Sequence, residues 1–211
     1  MLGYEVYRAN LDENAQIVFS NKSVEYKMVK SILDRITASA DIPELKLLSW
    51  EINVIGDYSF NASVLPGGKI MVHAGIFSTL KYDETLVAVV ISHEIGHALA
   101  RHTAEKLTAS GTLSLARLLI NWFCGLNVGY VTSILFDLPY SRAMESEADI
   151  IGLVLMHRAG YDVDRAHLIW EMPDEIPEFL STHPSHVNRG QMLKKAAPII
   201  KAGLPLETIY Q

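Results

Sequence analysis

Residues 83–107 read DETLVAVVISHEIGHALARHTAEKL, and this stretch decides the fold. Its apolar run is free of proline, and Asp83 can accept backbone N–H bonds at its start, so the pattern predicts one long helix from about residue 84 to 107. Within it, His93-Glu94-Ile95-Gly96-His97 puts two imidazoles four residues apart, on one face and one turn from each other. Both can then bind a single ion. Leu86, Val89 and Val90 share the stripe of His93, which turns that face toward the protein interior. The five-residue pattern arises by chance in roughly one chain of this length per hundred, so its setting carries the weight.

Zinc favours imidazole nitrogen and carboxylate oxygen in a tetrahedral shell, and reactive sites use three protein ligands and keep a fourth position open. A third ligand must come from elsewhere. A second long helix, expected over residues 141–159 and stopped by Gly160, offers Glu145 with Asp149 one turn later. Ala148 and Gly152 share that stripe, and such small side chains let the two helices approach closely. Glu145 is the expected third ligand, while Asp149 is expected to accept the outer N–H of a ligand histidine and fix its tautomer. Glu147 is expected to point elsewhere and be solvated. The plainer readings are two unrelated histidines on one helix and a solvated acidic face on the other. His102, five residues after His97 on a continuous helix, is expected to project away from the metal face. His73, His157, His167 and His186 show no ligand spacing.

Outward from these helices, residues 23–38 carry apolar positions at the spacing of one buried helical face. Residues 45–54 read as a strand, and 60–65 and 69–76 flank Pro66-Gly67-Gly68 as a hairpin. Asp162 is expected to cap a short helix through Trp170, and a last helix is expected over 185–201. The class is α+β, mainly helical, with a small antiparallel sheet. No repeat or linker divides the 211 residues, so one domain is expected over residues 1–211, with its core about 22–202. The net charge of −6 supplies no basic field for phosphates, which argues against nucleic acid as a partner. Cys124 is the only cysteine, so any metal must be held by histidine and carboxylate.

Three motifs in order resemble the gluzincin metallopeptidases of the CAAX-prenyl-protease and HtpX class: HEIGH (93–97), ESEAD (145–149) and His183-Pro184 followed by Arg189. The runs LPYSRAMESEAD, IPEFLSTHPSHVNR and NASVLPGGKI are most similar to the Oma-type mitochondrial metalloendopeptidases, and the resemblance covers residues 58–202. It implies a zincin-like peptidase domain, one Zn2+ per chain on His93, His97 and Glu145, and peptide-bond hydrolysis with Glu94 activating the water. It also implies His183 as stabiliser of the oxyanion, Arg189 as support for that loop or the substrate backbone, and an extended protein substrate lying along Asn61 and Ala62. A mitochondrial inner-membrane location and a role in protein quality control follow from resemblance alone.

The N-terminal residues lack the basic and apolar regions of a signal peptide. Residues 118–136 carry no charge, yet a single crossing there would put His93 and Glu145 on opposite sides of a membrane. The expectation is therefore peripheral membrane association, or attachment through a part outside this chain; oligomers are compatible with it. Two rivals stand beside the endopeptidase. One is a non-catalytic, zinc-stabilised binding or chaperone-like module, which has no need of Glu94 or His183. The other is a hydrolase of small molecules or a short-peptide aminopeptidase; an aminopeptidase needs a carboxylate to trap the free amine, for which no separate motif stands out, although an isolated Glu could serve.

Overall fold

The computed structural model describes residues 7–8, 12, 16–109, 139–172, 176–184 and 188–210. Ser23 starts helix α1 (Val24–Ser39) by accepting the Tyr26 N–H, and Val29, Ile32, Leu33 and Ile36 form its buried face. Each such side chain stabilises the fold by about 1.5–3 kcal/mol. The strand expected over 45–54 is divided. Pro43, preorganised for a first helical turn, opens the short helix α2 (Pro43–Leu47), and only β1 (Glu51–Ile55) is extended.

Strands β2 (Ala62–Leu65) and β3 (Lys69–His73) form the expected hairpin, with Gly67 and Gly68 at φ of 91° and 85°, where a side chain is strained. Residues after His73 turn into the short helix α3 (Gly75–Thr79) instead of prolonging the strand to 76. The sheet order is β1-β3-β2, with β1 parallel to β3 and β2 antiparallel to it, so the sheet is mixed and not wholly antiparallel. The physical reason lies in the register. Docking the hairpin through its second strand sets Ile52 and Val54 beside Ile70 and Val72, and all four are buried.

Among the described residues, this topology leaves β2 with one side free of strand partners. The His73 N–H donates to the Asn61 carbonyl, which makes 61, 63 and 65 the bonded positions opposite β3. The backbone groups of Ala62 and Val64 therefore face away from the sheet, toward the next helix.

That helix, α4 (Glu84–Leu99), is capped by Asp83, whose carboxylate accepts the N–H groups of Thr85 and Leu86 as expected. It is shorter than its apolar pattern predicts. Arg101 adopts φ 58°, an uncommon conformation for a side-chain-bearing residue, and the chain restarts as α5 (His102–Ala109). Helix α6 (Arg142–Arg158) follows, capped by Ser141 and closed past Ala159 by Gly160 at φ 73°. Asp162 caps a 3-10 segment (Val163–Glu171) in place of the expected α-helix. Helices α7 (Pro177–Thr182) and α8 (Arg189–Lys201) complete the frame of the site, and a 3-10 turn (Leu206–Tyr210) ends the described chain.

Helix α4 is buried from Val90 to His97, enclosed by α1, β2, α6 and the 3-10 segment. Its most extensive partner among the described residues is α6. Small residues permit the close crossing, as the stripe of Ala148 and Gly152 requires. A Cβ on Gly96 would lie 2.7 Å from the Ala148 carbonyl oxygen, and one on Gly152 would lie 3.0 Å from the His93 nitrogen. Backbone atoms cannot swing aside. Gly96→Ala is therefore expected to destabilise the protein by about 1–3 kcal/mol and to lower its metal affinity by parting the helices; a melting temperature equal to that of the wild type would contradict this.

The apolar stretch 118–136, Cys124 and His186 lie outside the described residues. Among the described ones, no helix is long and apolar enough to cross a membrane.

Candidate active site

Three elements bring four donors together. Helix α4 supplies His93 and His97, the first turn of α6 supplies Glu145, and His183 stands at the C-terminal end of α7. His93 Nε2 lies 3.0 Å from His97 Nε2 and 3.2 Å from His183 Nδ1. Glu145 completes the group, its oxygens 3.4 Å from His93 Nε2, 3.3 Å from His97 Nε2 and 3.2 Å from His183 Nδ1. A tetrahedron of ligands about 2.0–2.1 Å from a zinc ion has edges of roughly 3.3–3.4 Å. The donor chemistry and the spacing both fit a single metal, and all four residues are buried.

Behind the donors, Asp149 Oδ1 lies 2.9 Å from His93 Nδ1, the pairing expected from one helical turn after Glu145. Arg189 at the start of α8 is itself 2% exposed, which shows that its role is internal. It donates from Nε and Nη2 to the two Asp149 oxygens at 2.7 Å each and reaches Glu145 Oε2 with Nη1 at 2.6 Å. Its guanidinium stacks on Trp170 at 3.8 Å, and a longer contact of 3.4 Å joins it to the Pro184 carbonyl. Arg189 thus neutralises two buried carboxylates and ties the His183 loop to them. This is more than the loop support read from the sequence.

Burial alone would lower the His93 pKa, but the Asp149 and Glu145 carboxylates outweigh it and hold it at about 9 without metal. Burial would raise Glu145, and the surrounding imidazoles drive it the other way, far below the ordinary carboxylate range. His97 goes down, chiefly through burial. Below pH 9 a metal must therefore displace a proton from His93. Affinity for Zn2+ is expected to rise with pH, by up to about tenfold per unit, and to level off near pH 9. Chelator competition between pH 6.5 and 9.5 measures it, and a flat profile would refute the assignment.

Glu94 has the environment of a base. It is 0% exposed, both carboxylate oxygens are without a hydrogen-bond partner among the described residues, and His183 Nε2 stands 3.4 Å from Oε1. Burial raises its pKa, and the Glu145 charge adds to the rise. His183, His93 and the Val64 backbone N–H on the free side of β2 act against it without cancelling it.

Of the residues singled out from the sequence, the structure gathers His93, Glu94, His97, Glu145, Asp149, His183 and Arg189. Asn61 and Ala62 lie at the start of β2; the Asn61 carbonyl is used within the sheet, whereas Ala62 faces the free side, and Val64 joins it there. His102 corrects its expectation. It is 1% exposed, with Nδ1 only 2.9 Å from His97 Nδ1, because Arg101 breaks the helix and swings the next turn back. Glu147 is largely solvated as expected, and its Oε2 also lies 3.3 Å from His102 Nε2. Two aromatic residues went unread. Tyr140 stacks on His97 with centroids 4.0 Å apart, and Phe179 stacks on His183 at 4.5 Å. The latter pair had a signal, since Phe179 precedes His183 by one helical turn.

A helical domain with a small sheet and a buried His/Glu group able to bind a metal is the architecture of a metallopeptidase. The chain belongs to peptidase family M48, whose family model matches residues 23–197. The mitochondrial metalloendopeptidase OMA1 of Arabidopsis thaliana is 41% identical over 165 residues, covering 75% of this chain and 34% of that protein. The mitochondrial metalloendopeptidase OMA1 of Bos taurus is 33% identical over 215 residues, 91% of this chain and 41% of the relative. More distantly, a putative beta-barrel assembly-enhancing protease of Vibrio cholerae is 26% identical over 200 residues, 85% of this chain and 40% of the relative. The chain thus spans well under half the length of these three proteins.

Proposed function

We propose that this chain is a zinc-dependent endopeptidase that hydrolyses peptide bonds of protein substrates, membrane proteins among them, in mitochondrial or membrane protein quality control. The observation that carries the proposal is Glu94, a fully buried carboxylate whose oxygens have no hydrogen-bond partner among the described residues, set beside four donors spaced for one metal. A metal that merely clamped two helices would not need that carboxylate, and burying it unpaired is costly. The non-catalytic module is the weaker reading for this reason. The mitochondrial location is supported by the names of the OMA1 relatives, the inner membrane only by the resemblance of the motifs, and membrane attachment belongs to the same proposal.

His93, His97 and Glu145 would hold the zinc, with Asp149 and Arg189 fixing their orientation. When bound there, zinc polarises a carbonyl group and makes water acidic enough to lose a proton near neutral pH. Glu94 takes that proton and later delivers it to the leaving amine. We assign His183 to the carbonyl oxygen, where negative charge develops. Its ring now shares the space between His93 Nε2 and Glu145 Oε1, so a substrate must displace it slightly before donating geometry is reached.

The substrate backbone would pair along the side of β2 that carries Ala62, which gives affinity without a fixed sequence. A cavity of about 300 Å³ lies at the end of that strand, walled by Val64, Leu65, Pro66, His97 and Ala98 among others, and suits an apolar substrate side chain.

Metal analysis and casein cleavage test the reading. The wild type is expected to hold one zinc and to cut casein, and Glu145→Ala is expected to lose both properties. Full zinc occupancy in Glu145→Ala would mean that the third ligand is misassigned. A zinc-loaded wild type that cuts nothing across a broad protein panel would favour the binding module.

A further inference from the structure

The two candidate ligand histidines of α4 are backed in different ways. His93 Nδ1 meets Asp149, a buried carboxylate clamped by Arg189. His97 Nδ1 meets no carboxylate. It lies 2.9 Å from His102 Nδ1, and His102 Nε2 in turn lies 3.3 Å from Glu147 Oε2. His97 and His102 are buried, whereas the Glu147 side chain is 61% exposed, so the chain of contacts runs from the donor cluster to the protein surface.

Proton positions along this chain follow from the inventory of each group. A metal-binding His97 offers the lone pair of Nε2, so its single N–H is on Nδ1. His102 Nδ1 must then accept, which leaves the His102 proton on Nε2. The Glu147 oxygen facing it can accept that proton's hydrogen bond. One direction alone satisfies every contact: His97 donates to His102, and His102 donates to Glu147.

We propose that His102 and Glu147 are positioning residues that orient His97 and fix its tautomer for the metal. The inference rests on the metal-binding reading given above. The backbone is shaped for it: Arg101 at φ 58° is what returns His102 to His97. Tyr140, stacked on His97 and within hydrogen-bond distance of Thr103 Oγ1, confines one face of the ring. The grip on His97 therefore ends in an exposed carboxylate, while the grip on His93 ends in a buried ion pair.

Zinc affinity measured by chelator competition tests the proposal without any activity assay. His102→Phe, which keeps an aromatic ring and loses the acceptor, is expected to bind zinc about 10–100-fold more weakly than the wild type. His102→Gln is expected to recover most of that loss, since its amide can accept from His97 and donate to Glu147. Glu147→Leu changes only a surface side chain and is expected to weaken zinc binding severalfold, so it decides the matter should His102→Phe fail to fold. Nitrogen NMR of the zinc-loaded wild type is expected to show the His102 proton on Nε2. Unchanged affinity in Glu147→Leu, His102→Gln as weak as His102→Phe, or a proton on His102 Nδ1 would overturn the proposal. A wild type that binds no zinc at all would instead overturn the metal-site reading beneath it.

Discussion

Glu94→Gln is expected to keep its zinc and to lose peptide-bond hydrolysis by a factor of about 10²–10⁴, the span that a positioned general base contributes. The substitution preserves size and removes only the ability to take a proton. Glu94 is not among the four clustered donors, so metal occupancy has no reason to change. The carboxylate is fully buried beside His183 Nε2 at 3.4 Å, and glutamine fits the same space. Zinc content and the rate of casein or fluorogenic-peptide cleavage, measured on the same preparations, make the comparison. A variant keeping more than about a tenth of wild-type activity would remove Glu94 from the role of base. The pH profile adds a second check. Burial raises the Glu94 pKa above its ordinary 4.5, and a base acts only when deprotonated. Activity should therefore fall on the acid side as Glu94 gains its proton, and that limb should be absent from the residual activity of zinc-loaded Glu94→Gln.

The parts of this site written in local spacing were legible in the sequence. Two histidines four apart fall on one face of any helix, and Glu145 and Asp149 do the same. The small residues Ala148 and Gly152 announced a close crossing, which the backbone contacts of Gly96 and Gly152 bear out. What stayed hidden depends on a single backbone angle or on pairing between distant segments. The apolar pattern of 84–107 continues smoothly through Arg101, so nothing in its periodicity reports the φ of 58° that brings His102 to His97. Sheet order was hidden for the second reason. The turn residues 66–68 predict a hairpin but not which of its strands meets β1, and that choice leaves β2 free toward Glu94. Arg189 itself was legible through the motif, but its clamp on two carboxylates belongs with these, because those partners lie 40 and 44 residues earlier in the chain, on another helix.

Arg189→Met is expected to cost about 3–5 kcal/mol of stability, the usual penalty for removing one partner from a buried ion pair. Methionine refills much of the volume beside Trp170 but takes the guanidinium away from both buried carboxylates, leaving Asp149 and Glu145 to share the His93 imidazolium. Arg189→Lys should fall between the two, since a single ammonium cannot donate to both Asp149 oxygens and reach Glu145 as the guanidinium does. The sign of the pH dependence is fixed by the carboxylates. Burial pushes the Asp149 pKa up, and Arg189 with His93 more than reverses it; Glu145 is also lowered. Groups with depressed folded-state pKa values stabilise the protein above their unfolded values near 4, and that stability is lost as pH falls through the folded ones. The gap between wild type and Arg189→Met should thus be widest near neutrality and narrow in acid. Bound zinc should also narrow it, because the metal neutralises Glu145 in place of the lost guanidinium. Denaturant unfolding of the metal-free protein at pH 7 and pH 3, and of the zinc-loaded protein at pH 7, measures these effects. An Arg189→Met protein as stable as the wild type without metal at pH 7 would show that the cluster does not need its buried cation.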